Sequence, residues 1–411
     1  MSLAWLSLAA LAIVILVSCF SRLNAGLLAI AMAWILGVYF GGMRPDDVMR
    51  GFPISLFVTL AGVTILFAQA QDNGTLDRIA RRAVSLCRGN TGLIPLAFFL
   101  FAAALASLGP GNIATAALLA PMAMAAAGRA GIPAFLMAIL VGNGANAGSL
   151  SPFAPTGIVV AGLMNRIGLP GMEWSAYWVN FAAHAVVALA GFAIFGGLAL
   201  LRRRHEEPAA GRESLETRHW ITIVVVGSLV LGVVFLNANV GLGAFAAVVS
   251  LGLLRAADPD VAIRKAPWNV ILMVGGVTVL ISLLEKTGGL DLFAGLLATV
   301  ATRDTVAGVV AFVTGLVSTY SSTSSVVLPA FLPTVPGLAE RLHADPREIA
   351  LAMTVGSHLV DVSPLSTIGA LCIASATPGE DTRALFNKLL AWGLSMTVVS
   401  GLLCWLAARW V

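Results

Sequence analysis

Apolar residues run along this chain in blocks long enough to cross a bilayer, and the polar residues between them fall in short clusters. A hydrocarbon core about 30 Å thick takes roughly 17 to 25 residues of helix. Uninterrupted blocks of that kind cover residues 3–20, 24–41, 52–70, 175–200, 220–236, 240–254, 268–285 and 389–408, and they predict eight simple spans. Four further apolar stretches, 92–127, 133–164, 304–334 and 346–376, are punctuated by Gly, Pro, Ser, Thr and Asn. Irregular backbone at membrane depth is tolerated only where it is buried in protein or lines a water-filled cavity. These stretches therefore predict two re-entrant hairpins, 92–127 and 304–334, and two broken helices, 133–164 and 346–376.

The two halves of the chain resemble each other, as an internal repeat would. Residues 61–77 align without gaps to 275–291, 214 positions on, with seven of 17 positions identical. Thr115 and Pro121 recur 208 positions on as Thr323 and Pro329; Ser151, Pro152 and Gly157 recur 212 positions on as Ser363, Pro364 and Gly369. Chance is a poor explanation for an ordered series. It divides the chain into a first repeat, 1–200, a charged linker, 201–218, and a second repeat, 219–411. Hairpins that leave on the side they enter give each repeat five crossings, and an odd count inverts the second repeat. The expected fold is an all-α polytopic membrane protein of two inverted-topology repeats, each with five spans plus a re-entrant hairpin, and with broken helices at the midplane.

Composition agrees with this. Of 411 residues, 59% are hydrophobic and 11% charged, against about 25% charged in soluble domains, which excludes soluble enzymes, nucleic-acid binders and disordered scaffolds. The net charge of +4 is a topology signal, because 21 of the 24 basic residues are Arg in short loops between apolar runs. With both termini outside, 16 of those 24 fall on the inner side, as the positive-inside rule requires of a protein in a bacterial inner membrane. The Arg-rich run 76–88 reads either as an amphipathic helix on the inner interface or as a basic loop. Residues 3–20 read as a span, not a signal peptide, since no basic n-region precedes them. Cys19, Cys87, Cys372 and Cys404 lie far apart with no CxxC spacing, so neither a metal site nor a disulfide framework is indicated.

The interruptions carry the candidate chemistry. Broken helices in matched positions of two repeats mark the substrate site of secondary transporters. Ser107 to Thr115 and Ser318 to Ser325 each precede a new helix start, where backbone N–H groups and about half a positive charge favour anions. The breaks at Gly142–Gly157 and Ser357–Gly369 supply two more such ends. The candidate substrate contacts are Asn112, Ile113, Ala114, Thr115, Ser151, Pro152, Thr156, Gly157, Ser321, Ser322, Thr323, Ser363, Ser366 and Thr367. No Lys or Arg occurs in these breaks, and an unpaired dianion in a partly desolvated pocket costs several kcal/mol per charge. A co-bound cation is therefore expected, with Na⁺ or H⁺ as coupling ion and no other cofactor. Hard cations prefer oxygen ligands, and Gly109, Asn112, Asn143, Asn146, Ser318, Tyr320 and Ser357 are the Na⁺ candidates. His358 and Asp361, three residues apart on one helical face, offer an alternative proton relay, a cation ligand in Asp361, or a structural pair.

The segment Gly109-Pro-Gly-Asn-Ile-Ala-Thr-Ala-Ala-Leu-Leu-Ala-Pro121 resembles the hairpin-tip motif of the divalent anion/sodium symporters, Ser-Asn-Thr-Ala-Thr ahead of an apolar run and Pro. Residues 51–160 are similar to the malonate/dicarboxylate carrier (MatC-like) family of the wider ion-transporter superfamily. The resemblance implies a homodimer with a rigid scaffold of simple spans. It also implies a mobile transport domain, holding hairpins and broken helices, that moves as an elevator. Asn112 and Thr115 match the motif's substrate-contacting Asn and later Thr. Pro110-Gly111 depart from it, and in the second copy Tyr320 takes the Asn position while Thr323 is retained. The implied function is Na⁺-coupled transport of a small dicarboxylate, malonate or a C4 diacid, with an H⁺-coupled or antiporting carrier using His358 and Asp361 as the alternative. An intramembrane enzyme would need a second catalytic Asp or a G-x-S-x-G nucleophile, and neither is present. A passive channel is the third reading. Gly142 to Ala147 fits G-x-G-x-x-A but lacks the βαβ context that nucleotide binding requires.

Overall fold

The computed structural model describes residues 2–408 apart from 22, 77, 80–89, 205–213, 237, 320 and 378. The described residues form helices and no strand beyond one isolated bridge between Asn90 and Arg204. The first half holds α1 (Leu3–Phe20), α2 (Ala25–Trp34, continued by a π turn at Ile35–Phe40) and α3 (Ile54–Asp72). It continues with a hairpin of α4 (Leu93–Leu108) and α5 (Gly111–Ala130), a broken pair α6 (Ala134–Gly148) and α7 (Pro155–Arg166), and α8 (Glu173–Ile194). The second half holds α9 (Thr217–Leu236), α10 (Val240–Leu253), α11 (Trp268–Thr287) and α12 (Gly289–Ala298). There α13 (Val306–Ser318) is followed, across a 120° bend, by a limb that starts as a π turn at Thr323–Val327 and ends in α14 (Val335–Leu342). A second broken pair, α15 (Pro346–Leu359) and α16 (Thr367–Ala374), precedes α17 (Thr382–Ala407).

Four helices, α3, α5, α8 and α17, are each long and apolar enough to cross a membrane, and the bent pairs α11–α12 and α13–α14 meet the same measure together. The eight uninterrupted spans expected from hydropathy are cut differently. α2 has 10 residues before its π turn, and α10 has 14 and stops just before Arg255, which takes the left-handed conformation (φ 53°); at 1.5 Å per residue both fall short of 30 Å. α5 runs for 20 residues through Pro121, longer than a re-entrant limb needs. Most of the Arg-rich run 76–88 lies outside the described residues. Its start is anchored by a buried network in which Asn73 Nδ2 donates to Thr222 Oγ1 (2.7 Å) and to Ala256 O (3.1 Å), beside His219.

Small residues set how the helices meet, as in membranes generally, where close backbone approach replaces the hydrophobic drive. A Cβ on Gly26 of α2 would lie 2.4 Å from Leu272 O of α11, and one on Gly276 would lie 2.2 Å from Gly26 O. In the same way a Cβ on Gly241 of α10 would lie 2.7 Å from Thr59 Cα of α3, and one on Gly62 would lie 2.7 Å from Gly241 O. The packing is reciprocal: α2 of the first half seats on α11 of the second, and α10 of the second seats on α3 of the first. Each hairpin packs on the broken helix of its own half, α4 on α6 and α13 on α15, and across the halves α16 seats against α5 and α15 against α8. Gly144 abuts Phe99 O (2.4 Å from its added Cβ) and Gly356 abuts Ala311 O (2.3 Å), both contacts recurring 212 residues on. That spacing pairs Gly111 with Thr323, the two helix starts, instead of pairing Thr115 with Thr323 as the 208-residue identity suggested. Helix α6 is buried along its whole length, which puts Asn143 and Asn146 in the interior. Large apolar side chains such as Trp5, Leu16, Trp178, Leu189 and Leu402 stand exposed on the outside, the surface a lipid-facing protein presents.

Candidate functional site

Both hairpin tips and both breaks contribute walls to one cavity of about 400 Å³. The first half supplies Asn112 and Ile113 at the start of α5 and Thr156 at the start of α7; the second supplies Ser321 to Ser324, His358, Asp361 and Leu365 to Ile368. Asn24, Asn269 and Met273 close the other side from α2 and α11. Among the described residues no Lys or Arg lines it. The polar groups of its described lining residues are amides, hydroxyls, one imidazole and one carboxylate.

The first-half tip is held by amides. Gly109 adopts φ 144° and a Cβ there would overlap the Phe67 ring at 1.8 Å, so only glycine turns the hairpin at this point. Asn112 Nδ2 donates to Asn146 Oδ1 at 2.8 Å, and Asn112 Oδ1 accepts from Ile113 N at 3.0 Å. Behind it, Asn180 Nδ2 of α8 donates to Asn146 O (2.9 Å), and Asn143 Oδ1 lies 2.8 Å from His184 Nδ1. Ser151 Oγ donates to Ser107 O at 2.6 Å, tying the break to the hairpin. A Cβ on Gly157 would sit 1.9 Å from Ser151 O: the break folds so tightly that carbonyl and helix start touch.

The second-half tip is richer in oxygen. Thr323 Oγ1 lies 2.8 Å from each carboxylate oxygen of Asp361, 3.2 Å from Ser357 O, and in short contact with Ser318 Oγ. Two hydroxyl hydrogens thus face a carboxylate and a carbonyl. Acceptors outnumber donors. Ser366 Oγ donates to Ser363 O (2.8 Å) and to Asp361 O, and it caps α16 by accepting from Gly369 N (3.4 Å). His358 Nδ1 bonds Thr354 O at 2.8 Å and its Nε2 is buried without a partner; no hydrogen bond joins it to Asp361, so the expected His–Asp pair does not form.

Among the residues singled out in the sequence, the cavity gathers Asn112, Ile113, Thr156, Ser321, Ser322, Thr323, Ser366, Thr367, His358 and Asp361. The others lie elsewhere. Ala114 lines a neighbouring cavity of about 200 Å³ on the far flank of the tip, and Pro152 lines one of about 700 Å³. Thr115, Ser151 and Ser363 are buried behind the wall, as are Asn143, Asn146, Ser318 and Ser357, while Gly109, Gly157 and Gly369 act through backbone approach. Tyr320 falls outside the described residues. Sequence reasoning missed Asn24, Asn269, Met273 and Ser324 on the wall, and Asn180 and His184 behind it. Asn24 reads as an ordinary helix N-cap, which it is, and nothing local in the sequence marks it as facing a cavity formed by residues 88 to 344 positions away.

Comparison with known proteins bears on the whole chain. Residues 1–149 match the family model described as the dicarboxylate carrier protein MatC N-terminus. No curated protein matches the sequence. Among solved structures, the crystal structure of the Alcanivorax borkumensis YdaH transporter, described as having an unusual topology, is 15% identical, covers 99% of this chain and 98% of its own, and superposes with a TM-score of 0.62. The chain thus has helices long and apolar enough to span a membrane, shares its fold with that transporter, and over its first 149 residues matches the model of the dicarboxylate carrier MatC N-terminus.

Proposed function

We propose that the protein is a secondary active transporter of a small dicarboxylate, malonate or a C4 diacid, coupled to Na⁺ and working by an elevator motion. The observation that carries this reading is the cavity: with no Lys or Arg among its described lining residues, it joins helix starts and hydroxyls from both halves to an acceptor-rich cluster at Asp361. Helix N-termini and hydroxyl donors suit carboxylates. The carboxylate of Asp361, the hydroxyls of Thr323 and Ser318 and the carbonyl of Ser357 are oxygen donors of the kind Na⁺ takes. A cation held there offsets the charge of the diacid, which no basic side chain among the described lining residues does.

The MatC family match supports a dicarboxylate as cargo. Reciprocal seating of α2 on α11 and α10 on α3 supports two inverted repeats, 1–200 and 219–411, around the linker 201–218, with these four helices as scaffold. Hairpins and broken helices, α4–α7 and α13–α16, form the moving body. The distribution of basic residues supports both termini outside in a bacterial inner membrane, and the family resemblance supports a homodimer.

The test is uptake of radiolabelled malonate and succinate into proteoliposomes under separate Na⁺ and H⁺ gradients. An inward Na⁺ gradient alone drives accumulation, and Asn112→Ala lowers the initial rate about tenfold by removing one amide beside a charged carboxylate. Equal uptake without either gradient would refute the reading. Accumulation driven by H⁺ alone would replace Na⁺ with the His358 and Asp361 alternative.

A further inference from the structure

The cavity of about 700 Å³ that Pro152 lines is walled on its scaffold side by Ser55 and Thr59 of α3 and by Asn239, the N-cap of α10. Those three positions stand in a fixed relation to the wall of the substrate cavity. Asn24 and Asn239 are 215 residues apart, Ser55 and Asn269 are 214 apart, and Thr59 and Met273 are 214 apart, the spacing of the repeat itself. Both asparagines cap the helix that follows: Asn24 Oδ1 accepts from Gly26 N at 2.9 Å, and Asn239 Oδ1 from Leu242 N at 3.0 Å. Each stands beside the first turn of the opposite repeat's long helix, α11 or α3. The one face is the image of the other.

We infer that Ser55, Thr59 and Asn239 form a second diacid-binding wall, which meets the substrate in the state opposite to the one seen here. The inference rests on the carrier reading above. A body that keeps the diacid at its two hairpin tips while sliding along α2–α11 and α3–α10 leaves Asn24, Asn269 and Met273 on one side and comes against their repeat counterparts on the other.

The two walls differ in chemistry. Where the substrate cavity has Met273, this face has the Thr59 hydroxyl, which donates to Ser55 O at 2.9 Å. Asn24 Nδ2 is engaged by Asn269 O at 2.9 Å, whereas no residue of α3 engages Asn239 Nδ2 among the described residues. Arg50 and Arg166 also line this cavity with Glu173; Arg50 pairs with Asp47 at 3.4 Å, and Arg166 makes no ion pair among the described residues. Arg166 gives this wall a cation for a diacid carboxylate, which the described lining of the substrate cavity does not have.

Transport kinetics measured from each face test this, using right-side-out and inside-out vesicles carrying the full-length protein. Thr59→Val removes the hydroxyl, and Asn239→Ser removes the amide donor while keeping an oxygen to cap α10. Each raises the malonate KM from the Arg50 face about tenfold, as loss of a hydrogen bond to a charged group does, and leaves the KM from the opposite face within twofold. Asn24→Ser shows the reverse. As a second readout independent of turnover, Ser55→Cys reacts with a membrane-impermeant maleimide from the Arg50 face, and malonate with Na⁺ slows the reaction. Variants that change both KM values equally, or neither, overturn the second wall while wild-type transport leaves the carrier reading standing. Wild-type vesicles that take up no diacid from either face overturn the carrier reading and this inference with it.

Discussion

Asp361→Asn abolishes the dependence of diacid uptake on Na⁺ while leaving the protein folded and inserted. The side chain keeps its shape, and Thr323 Oγ1 still has an oxygen 2.8 Å away to which it can donate. What disappears is the only carboxylate among the described lining residues. Removing one partner of a poorly solvated charge pair costs about 3–5 kcal/mol, which lowers Na⁺ affinity more than a hundredfold and moves half-activation beyond any usable concentration. The diacid, left without its counter-charge, binds weakly as well. Initial rates of malonate uptake against Na⁺ concentration, wild type beside variant, give the answer, with size-exclusion profiles in detergent to verify folding. An unchanged Na⁺ curve removes Asp361 from the cation site. A variant that keeps its Na⁺ response but loses its response to a proton gradient moves Asp361 to the alternative coupling.

Much of this site was legible because irregular backbone inside apolar sequence has few explanations. Gly109-Pro110, Ser151-Pro152 and Ser363-Pro364 stand where no simple span tolerates them, and the structure turns or breaks its helices there. Positions whose signal is tertiary were not legible. Asn24 and Asn269 look like residues at the head of any helix, and they matter because α2 of one half lies on α11 of the other. The register of the second hairpin misled for a local reason. Leu328-Pro-Ala-Phe-Leu-Pro333 holds two prolines four residues apart, so identity alone aligns Pro121 with the first. The backbone contacts of Gly144 and Gly356 select the spacing that pairs it with the second. Hydropathy likewise cannot see that α2 passes into a π turn after ten residues, because residues 24–41 are apolar either way.

Gly369→Ala and Gly157→Ala destroy transport, and Gly227→Ala does not. A Cβ at Gly369 falls 2.0 Å from Ser363 O and one at Gly157 falls 1.9 Å from Ser151 O, distances no real contact reaches. The obstacle in each case is backbone, so no side chain can swing away; the break itself must open. Overpacking of this kind costs about 1–3 kcal/mol, enough to lower the melting temperature of the detergent-solubilised protein by several degrees. The larger effect falls on geometry. In the second half Ser363 and Asp361 accept from the same Ser366 hydroxyl, so an opened break carries the Asp361 carboxylate away from Thr323 and the Na⁺ response goes with it. In the first half Ser151 is tied to Ser107 of the hairpin, so the diacid KM suffers first. Gly227, in the middle of α9, has open space around it, and Ala there gains about 0.5–1 kcal/mol of helix propensity. Melting curves and uptake for the three variants separate a requirement at the breaks from a general intolerance of added methyl groups. Wild-type melting and uptake in Gly369→Ala would show that the second break is not held as closely as its contacts require.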